Sequence, residues 1–227
     1  MKSVKHGGLN VKMKSKEVIM KIIIDIGHTK DYSREHPEQF NSIPEDILGK
    51  LGFNKDKNDS IEHRLNKFIG EALKSACDNA GIDAEIVDYP ELNNSQDISK
   101  TISYANKIKP DLFVSIHANA TGNNKWKTME CTASGTVVLY YPGSTKGKRR
   151  AQAIADACKV CRKNNEGPDN RFEHTAPSSV SVLAKTNMPA VLVETCFYDN
   201  KEDLRWTIDN KEKLAKAIAD GILKQIY

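Results

Sequence analysis

Three near-continuous apolar runs punctuate the chain of 227 residues: Lys21–His28 (KIIIDIGH), Asp111–His117 (DLFVSIH) and Ala190–Glu194 (AVLVE). Ile, Val and Leu without polar alternation mark strands covered on both sheet faces. Two shorter runs, 84–89 (AEIVDY) and 135–141 (GTVVLYY), predict further strands. Helical periodicity lies between them. The spacing predicts a helix over 60–80, capped by Asp59 or Ser60 and stopped by Gly81. A second covers 95–108, with Ile98, Ile102, Ala105 and Ile108 on one face and Pro110 beyond its end. Further helices are expected over 146–164 and 211–226. Segments 29–59, 118–133 and 165–180 are polar and read as loops, the first with a short helix near 44–51. Strands alternating with helices predict an α/β fold: a single domain with a mostly parallel or mixed twisted sheet and helices on both faces.

In open α/β sheets, ligands sit outside the carboxyl ends of the strands. His28, His117 and Glu194 each close an apolar run, so all three are expected at one sheet edge. The 60–80 helix adds a fourth group. With Ile61 at 0° and about 100° per residue, Leu65, Phe68, Ile69, Ala72, Leu73 and Ala76 share one face. Glu62 falls at about 100°, between Ile69 and Leu73, where an unpaired carboxylate is costly. His63 and Arg64 fall away from that face. A glutamate on a first helical turn is also favoured by the helix dipole alone, and a histidine after a strand is commonly just hydrogen-bonded. Two histidines and a glutamate together form a catalytic zinc set of the open type, with water in the remaining position.

These residues resemble the zinc-dependent N-acetylmuramoyl-L-alanine amidases, the catalytic-domain family of bacterial autolysins and phage endolysins. The resemblance runs over about 20–227. IDIGH (24–28) is similar to a strand ending in D-x-G-H, Glu62 with Asn66 to a helical E-x-x-x-N, and SIHAN (115–119) is nearly verbatim. SGTVVLYY (134–141) and VLAKTNMPAVLVETCF (182–197), with Asn200 beyond, resemble the later segments. Thr29 and Cys196 stand where the family usually has glycine, and the 29–59 and 118–133 insertions are unusual. The resemblance implies Zn2+ held by His28, Glu62 and His117, with Glu194 as catalytic acid/base. It also implies peptidoglycan as substrate, cut between the N-acetylmuramic acid lactyl group and L-alanine. Asp25 is a candidate to orient a ligand histidine through a hydrogen bond. Asn119 and His174 are candidate substrate contacts. Two other classes compete: a zinc carboxypeptidase acting on the stem peptide, and a peptidoglycan-binding module without catalysis, for which four such residues are superfluous.

Charge sharpens the choice of partner. The net charge of +4 resides in residues 1–19, where five lysines face one glutamate, so 20–227 is neutral. Neutrality gives no reason to expect nucleic acid, and no run is long enough for a membrane helix. Five cysteines at irregular spacing do not form a disulfide framework, and Cys158-x-x-Cys161 lacks the second pair of a zinc ribbon. Residues 1–19 hold no apolar export segment. With the resemblance, this implies a phage or prophage endolysin, made in the cytoplasm and reaching the wall through a lesion opened by a separate holin-type protein; action inside a mother cell during sporulation and an export signal that has been removed are the alternatives. Residues 1–19 are expected to be a disordered or non-native extension. Lys16-Glu17-Val18 can be encoded by AAG-GAG-GTN, a strong ribosome-binding sequence, with Met20 just downstream. N-terminal sequencing of the product of its natural transcript should then find Met20 first; a product beginning only at Met1 contradicts this.

Overall fold

Three successive isoleucines, Ile22, Ile23 and Ile24, are each fully buried, and they point to alternate sides. Ile22 and Ile24 join a large apolar cluster on one sheet face, and Ile23 joins a second on the other. Two-sided burial is why the strand pattern is a run rather than an alternation. The computed structural model describes residues 20–30, 42–53, 60–122, 128–170 and 175–224. The expectations for 1–19 and His174 lie outside them.

Among the described residues, the strands are β1 (Lys21–Ile26), β2 (Asp83–Val87), β3 (Leu112–Asn119), β4 (Val137–Tyr140), β5 (Thr175–Pro177) and β6 (Ala190–Phe197). The helices are α1 (Glu45–Lys50), α2 (Ile61–Ala80), α3 (Asn94–Ile108), α4 (Thr145–Asn164), α5 (Ser181–Ala184), α6 (Lys201–Asp209) and α7 (Lys211–Leu223). They form one mixed sheet in the order β2-β1-β3-β6-β4-β5. The first four strands run parallel, and β4 is antiparallel to β6. Helices α2, α4 and α7 pack on one face, α3 and α5 on the other.

Helix α2 positions the site. Ser60 caps it by accepting from the His63 amide, and Gly81 ends it in a left-handed conformation with φ 82°. Ile61, Leu65, Ile69 and Leu73 are buried along its inner face, each stabilising by about 1.5–3 kcal/mol. That packing, more than intrinsic helix propensity, fixes where the first turn lies. Asn66 is fully buried and donates from Nδ2 to the Gly27 carbonyl at 3.0 Å, tying α2 to the end of β1.

The structure corrects the helical projection at His63. The ring is buried, with Nε2 3.0 Å from Asp88 Oδ1. Asp88 lies just past β2, and Lys67 one turn on from His63 bonds its other oxygen. A wheel drawn against one sheet face does not see a partner rising from a loop beside the helix. Three further elements stand where loops or nothing had been expected. β5 is a three-residue edge pairing ending in a proline, a position where sheets tolerate it. α5 has one turn, and α6 is separated from α7 by Asn210 alone. Cys158 is buried, Cys161 partly so, and both are free.

One irregularity bears on the site. His117 pairs with Glu194, but Asn119 pairs with Phe197, so β6 carries one extra residue just after Glu194. Such a bulge bends a strand and re-aims its side chains.

Candidate metal centre

Parallel register brings the strand ends level. Ile26 lies beside Ile116, the Gly27 amide donates to the Ile116 carbonyl, and His117 lies beside Glu194. The loop after β1 therefore starts next to the end of β3. A Cβ built on Gly27 would sit 2.2 Å from His117 Nε2, so only glycine lets that ring cross here. His28 follows in the left-handed region with φ 64°, a strained backbone for a residue with a side chain. Such strain clusters at functional sites.

The Glu62 carboxylate enters from the first turn of α2 and is buried. Its Oε1 lies 3.2 Å from His28 Nε2 and 3.3 Å from His117 Nδ1, and accepts from the Ala118 amide at 3.3 Å. The two imidazoles stand edge to face, with centroids 4.8 Å apart. One donor atom from each of His28, Glu62 and His117 lies within 4.8 Å of the others. Donor type and closeness fit a divalent metal of the zinc class, for which imidazole and carboxylate are ordinary ligands. Glu194 is next to this triad, half-buried, and its Oε2 is a buried oxygen with no hydrogen-bond partner.

Electrostatics point the same way. Burial pushes the Glu62 carboxyl upward, but His28 and His117 outweigh it and hold it down to about 2. Burial pushes the His117 imidazole downward, yet Glu62, Glu194 and Asp25 raise it to about 9. Burial, with Glu62 close by, lifts Glu194 to about 7 against the pull of both histidines. The surroundings call for positive charge at the centre, which protons supply when a cation does not. Metal binding there must displace protons and is pH-dependent.

The histidine hydrogen bonds differ from expectation. Asn94, the first residue of α3, places Oδ1 3.3 Å from His28 Nδ1. That contact favours a proton on Nδ1, the tautomer in which Nε2 would be the ligand atom once a cation lies between it and Glu62. Asp25 accepts from the Ser115 hydroxyl across the β1–β3 pairing, and its charge acts on both histidines. Sequence reading missed Asn94; its signal is the capping box of Asn93 and Gln96, which fixes the start of α3 beside the site. Asn119 is half-buried at the end of β3, with its carbonyl accepting from the Tyr198 amide. Thr29 is buried, and its hydroxyl has no partner.

A mixed α/β sheet thus carries a histidine–glutamate–histidine cluster with metal-type donors and a further glutamate at its strand ends. The chain belongs to the N-acetylmuramoyl-L-alanine amidase family, which matches residues 22–224. It is 34% identical over 121 residues to the endolysin of Bacillus phage SPP1, covering 52% of this chain and 39% of that protein. It is 28% identical over 171 residues to the N-acetylmuramoyl-L-alanine amidase LytC of Bacillus subtilis, covering 72% of this chain and 31% of that protein. The chain thus spans well under half the length of either. Its fold is like that of the amidase Ami1 from Mycobacterium smegmatis, with TM-score 0.66, 20% identity and coverage of 93% and 99% of the two chains.

These protonation shifts predict how stability follows pH. Glu194 and Asp97, both raised to about 7 chiefly by burial, hold protons more tightly folded than unfolded. So does His117, raised from 6.5 to about 9. Their contribution is present at low pH and lost as pH climbs through those values. Glu62 acts oppositely, but only below 4.5. Urea midpoints of the metal-free protein should therefore fall from about pH 5 to about pH 9, and added Zn2+ should restore them at the alkaline end. A midpoint that is flat or rises over this range contradicts the assignment.

Proposed function

We propose that the chain is a zinc-dependent peptidoglycan amidase that hydrolyses the bond between the lactyl carbonyl of N-acetylmuramic acid and L-alanine. The observation that carries this reading is the buried triad of donors within 4.8 Å, beside a glutamate with an unpartnered buried oxygen, in a chain of this family. His28 Nε2, His117 Nδ1 and a Glu62 oxygen would hold the ion. Bound there, Zn2+ supplies a water of pKa about 7 and polarises the amide carbonyl.

The remaining work falls to this chain's own side chains. Glu194 accepts the proton of the attacking water on its free carboxylate oxygen and delivers it to the departing L-alanine nitrogen. Burial raises its pKa in the metal-free site, and a bound cation would pull it back down, favouring the carboxylate that accepts the proton. Asn94 keeps the His28 ring in the tautomer that leaves Nε2 free. Gly27 and Asn66 keep the two ligand-bearing strand ends and α2 in register. Asn119, next to the centre, and His174 are proposed substrate contacts.

The similarity to a phage endolysin supports a wall-lytic role. No described helix is long and apolar enough to cross a membrane. The proposal extends to synthesis in the cytoplasm and passage to the wall through a holin-type lesion.

Mass spectrometry of digested muropeptides tests the bond. A free muramic lactyl carboxyl and a new N-terminal L-alanine are expected; loss of a terminal stem-peptide residue would instead make the protein a carboxypeptidase. Glu194→Gln should keep full zinc and lose about 10²–10⁴-fold in kcat; activity near wild type removes Glu194 from the mechanism. His117→Ala should lose bound zinc together with activity, and full metal retention by elemental analysis excludes it as a ligand.

A further inference from the structure

Arg162 is the largest fully buried side chain in the described protein, and it bonds the backbone of Thr195, the residue after Glu194. It comes from α4. All five of its N–H groups have acceptors: Nε donates to Thr136 Oγ1 at 3.1 Å, Nη1 to Asp203 Oδ1 at 2.6 Å and the Pro168 carbonyl at 2.9 Å, and Nη2 to the Thr195 carbonyl at 2.7 Å and Thr207 Oγ1 at 3.2 Å. The Trp206 ring lies 4.5 Å from the guanidinium carbon. Asp203, also fully buried, accepts on Oδ2 from the Phe197 amide at 2.8 Å and the Gly135 amide at 3.0 Å.

The places these two residues grip are specific. The extra residue of β6 falls between Glu194 and Phe197. A bulge takes backbone groups out of the ladder, and buried ones must find other partners. Here the Thr195 carbonyl is taken by Arg162 and the Phe197 amide by Asp203. Thr195 in turn donates from Oγ1 to the His117 carbonyl at 3.0 Å. One hydrogen-bonded chain thus runs from the buried ion pair through the bulge to the backbone of a proposed metal ligand.

A fold needing only stability would be served as well by apolar residues, since buried ion pairs are commonly neutral or costly against hydrophobic replacements. What an arginine adds is a rigid fork that fixes several acceptors at once. We propose that Arg162 and Asp203 are positioning residues for Glu194, pinning the β6 bulge so that its carboxylate stays aimed at the His28–Glu62–His117 cluster. This rests on the acid/base reading of Glu194, and the test keeps the two apart.

The variants are Arg162→Lys and Asp203→Asn, each alone and combined with Glu194→Gln. Each single variant is expected to fold, to bind full zinc, and to keep KM within about twofold, while kcat falls roughly tenfold or more, as small misplacements of a reacting group do. Combined with Glu194→Gln, either substitution should cost almost nothing more, because the group it positions is already disabled. Faster hydrogen exchange at the Phe197 amide should accompany the loss, a readout independent of activity. An unchanged kcat, or a loss equally large with and without Glu194, overturns the proposal. So does failure of both variants to fold with full metal content, which assigns the pair to folding alone. If Glu194→Gln itself retains activity, the acid/base reading fails, and amide exchange still reports whether the pair holds the bulge.

Discussion

The arrangement at the strand ends depends on one costly act: burying the Glu62 carboxylate between two imidazoles. A buried charge survives only when paired and hydrogen-bonded. Glu62 meets that condition with His28, His117 and the Ala118 amide, all on a single oxygen. The demand propagates outward. The first turn of α2 must lie over the ends of β1 and β3, which the Ser60 cap, the His63–Asp88 contact and the Asn66 bond to Gly27 enforce. Gly27 must lack a side chain so that the His117 ring can cross it.

That same burial gives the centre its electrical character. Carboxylates at Glu62, Glu194 and Asp25 surround His117 and hold its proton to about pH 9. A site that binds protons so tightly is one that a cation can fill by displacing them. The proposed chemistry divides the two glutamates by environment. Glu62 is kept ionised by two imidazoles, and Glu194 is left close to neutrality by burial with one oxygen unpartnered.

Much of this was legible in the chain itself. Continuous apolar runs located β1, β3 and β6 because both sheet faces are covered. Glu62 was visible as an acid on an apolar helical stripe, and the resemblance tied it to His28 and His117. What stayed hidden depends on long-range partners. His63 looked solvent-facing because Asp88 lies 25 residues away. Asn94 serves His28 across 66 residues. The bond between Asp25 and Ser115 on the neighbouring strand is equally out of reach of sequence spacing. The bulge after Glu194 has no mark in hydrophobic periodicity, and Arg162 sits in a basic helix whose other charges give no sign that it alone is buried.

On the proposed reading, three side chains from three different elements hold one zinc ion. X-ray absorption spectroscopy of the zinc-loaded protein tests it most directly. Two imidazole nitrogens and a carboxylate oxygen are expected in a four-coordinate shell, with nitrogen at about 2.0–2.1 Å. A shell containing sulfur, at about 2.3 Å, or only one imidazole would contradict it.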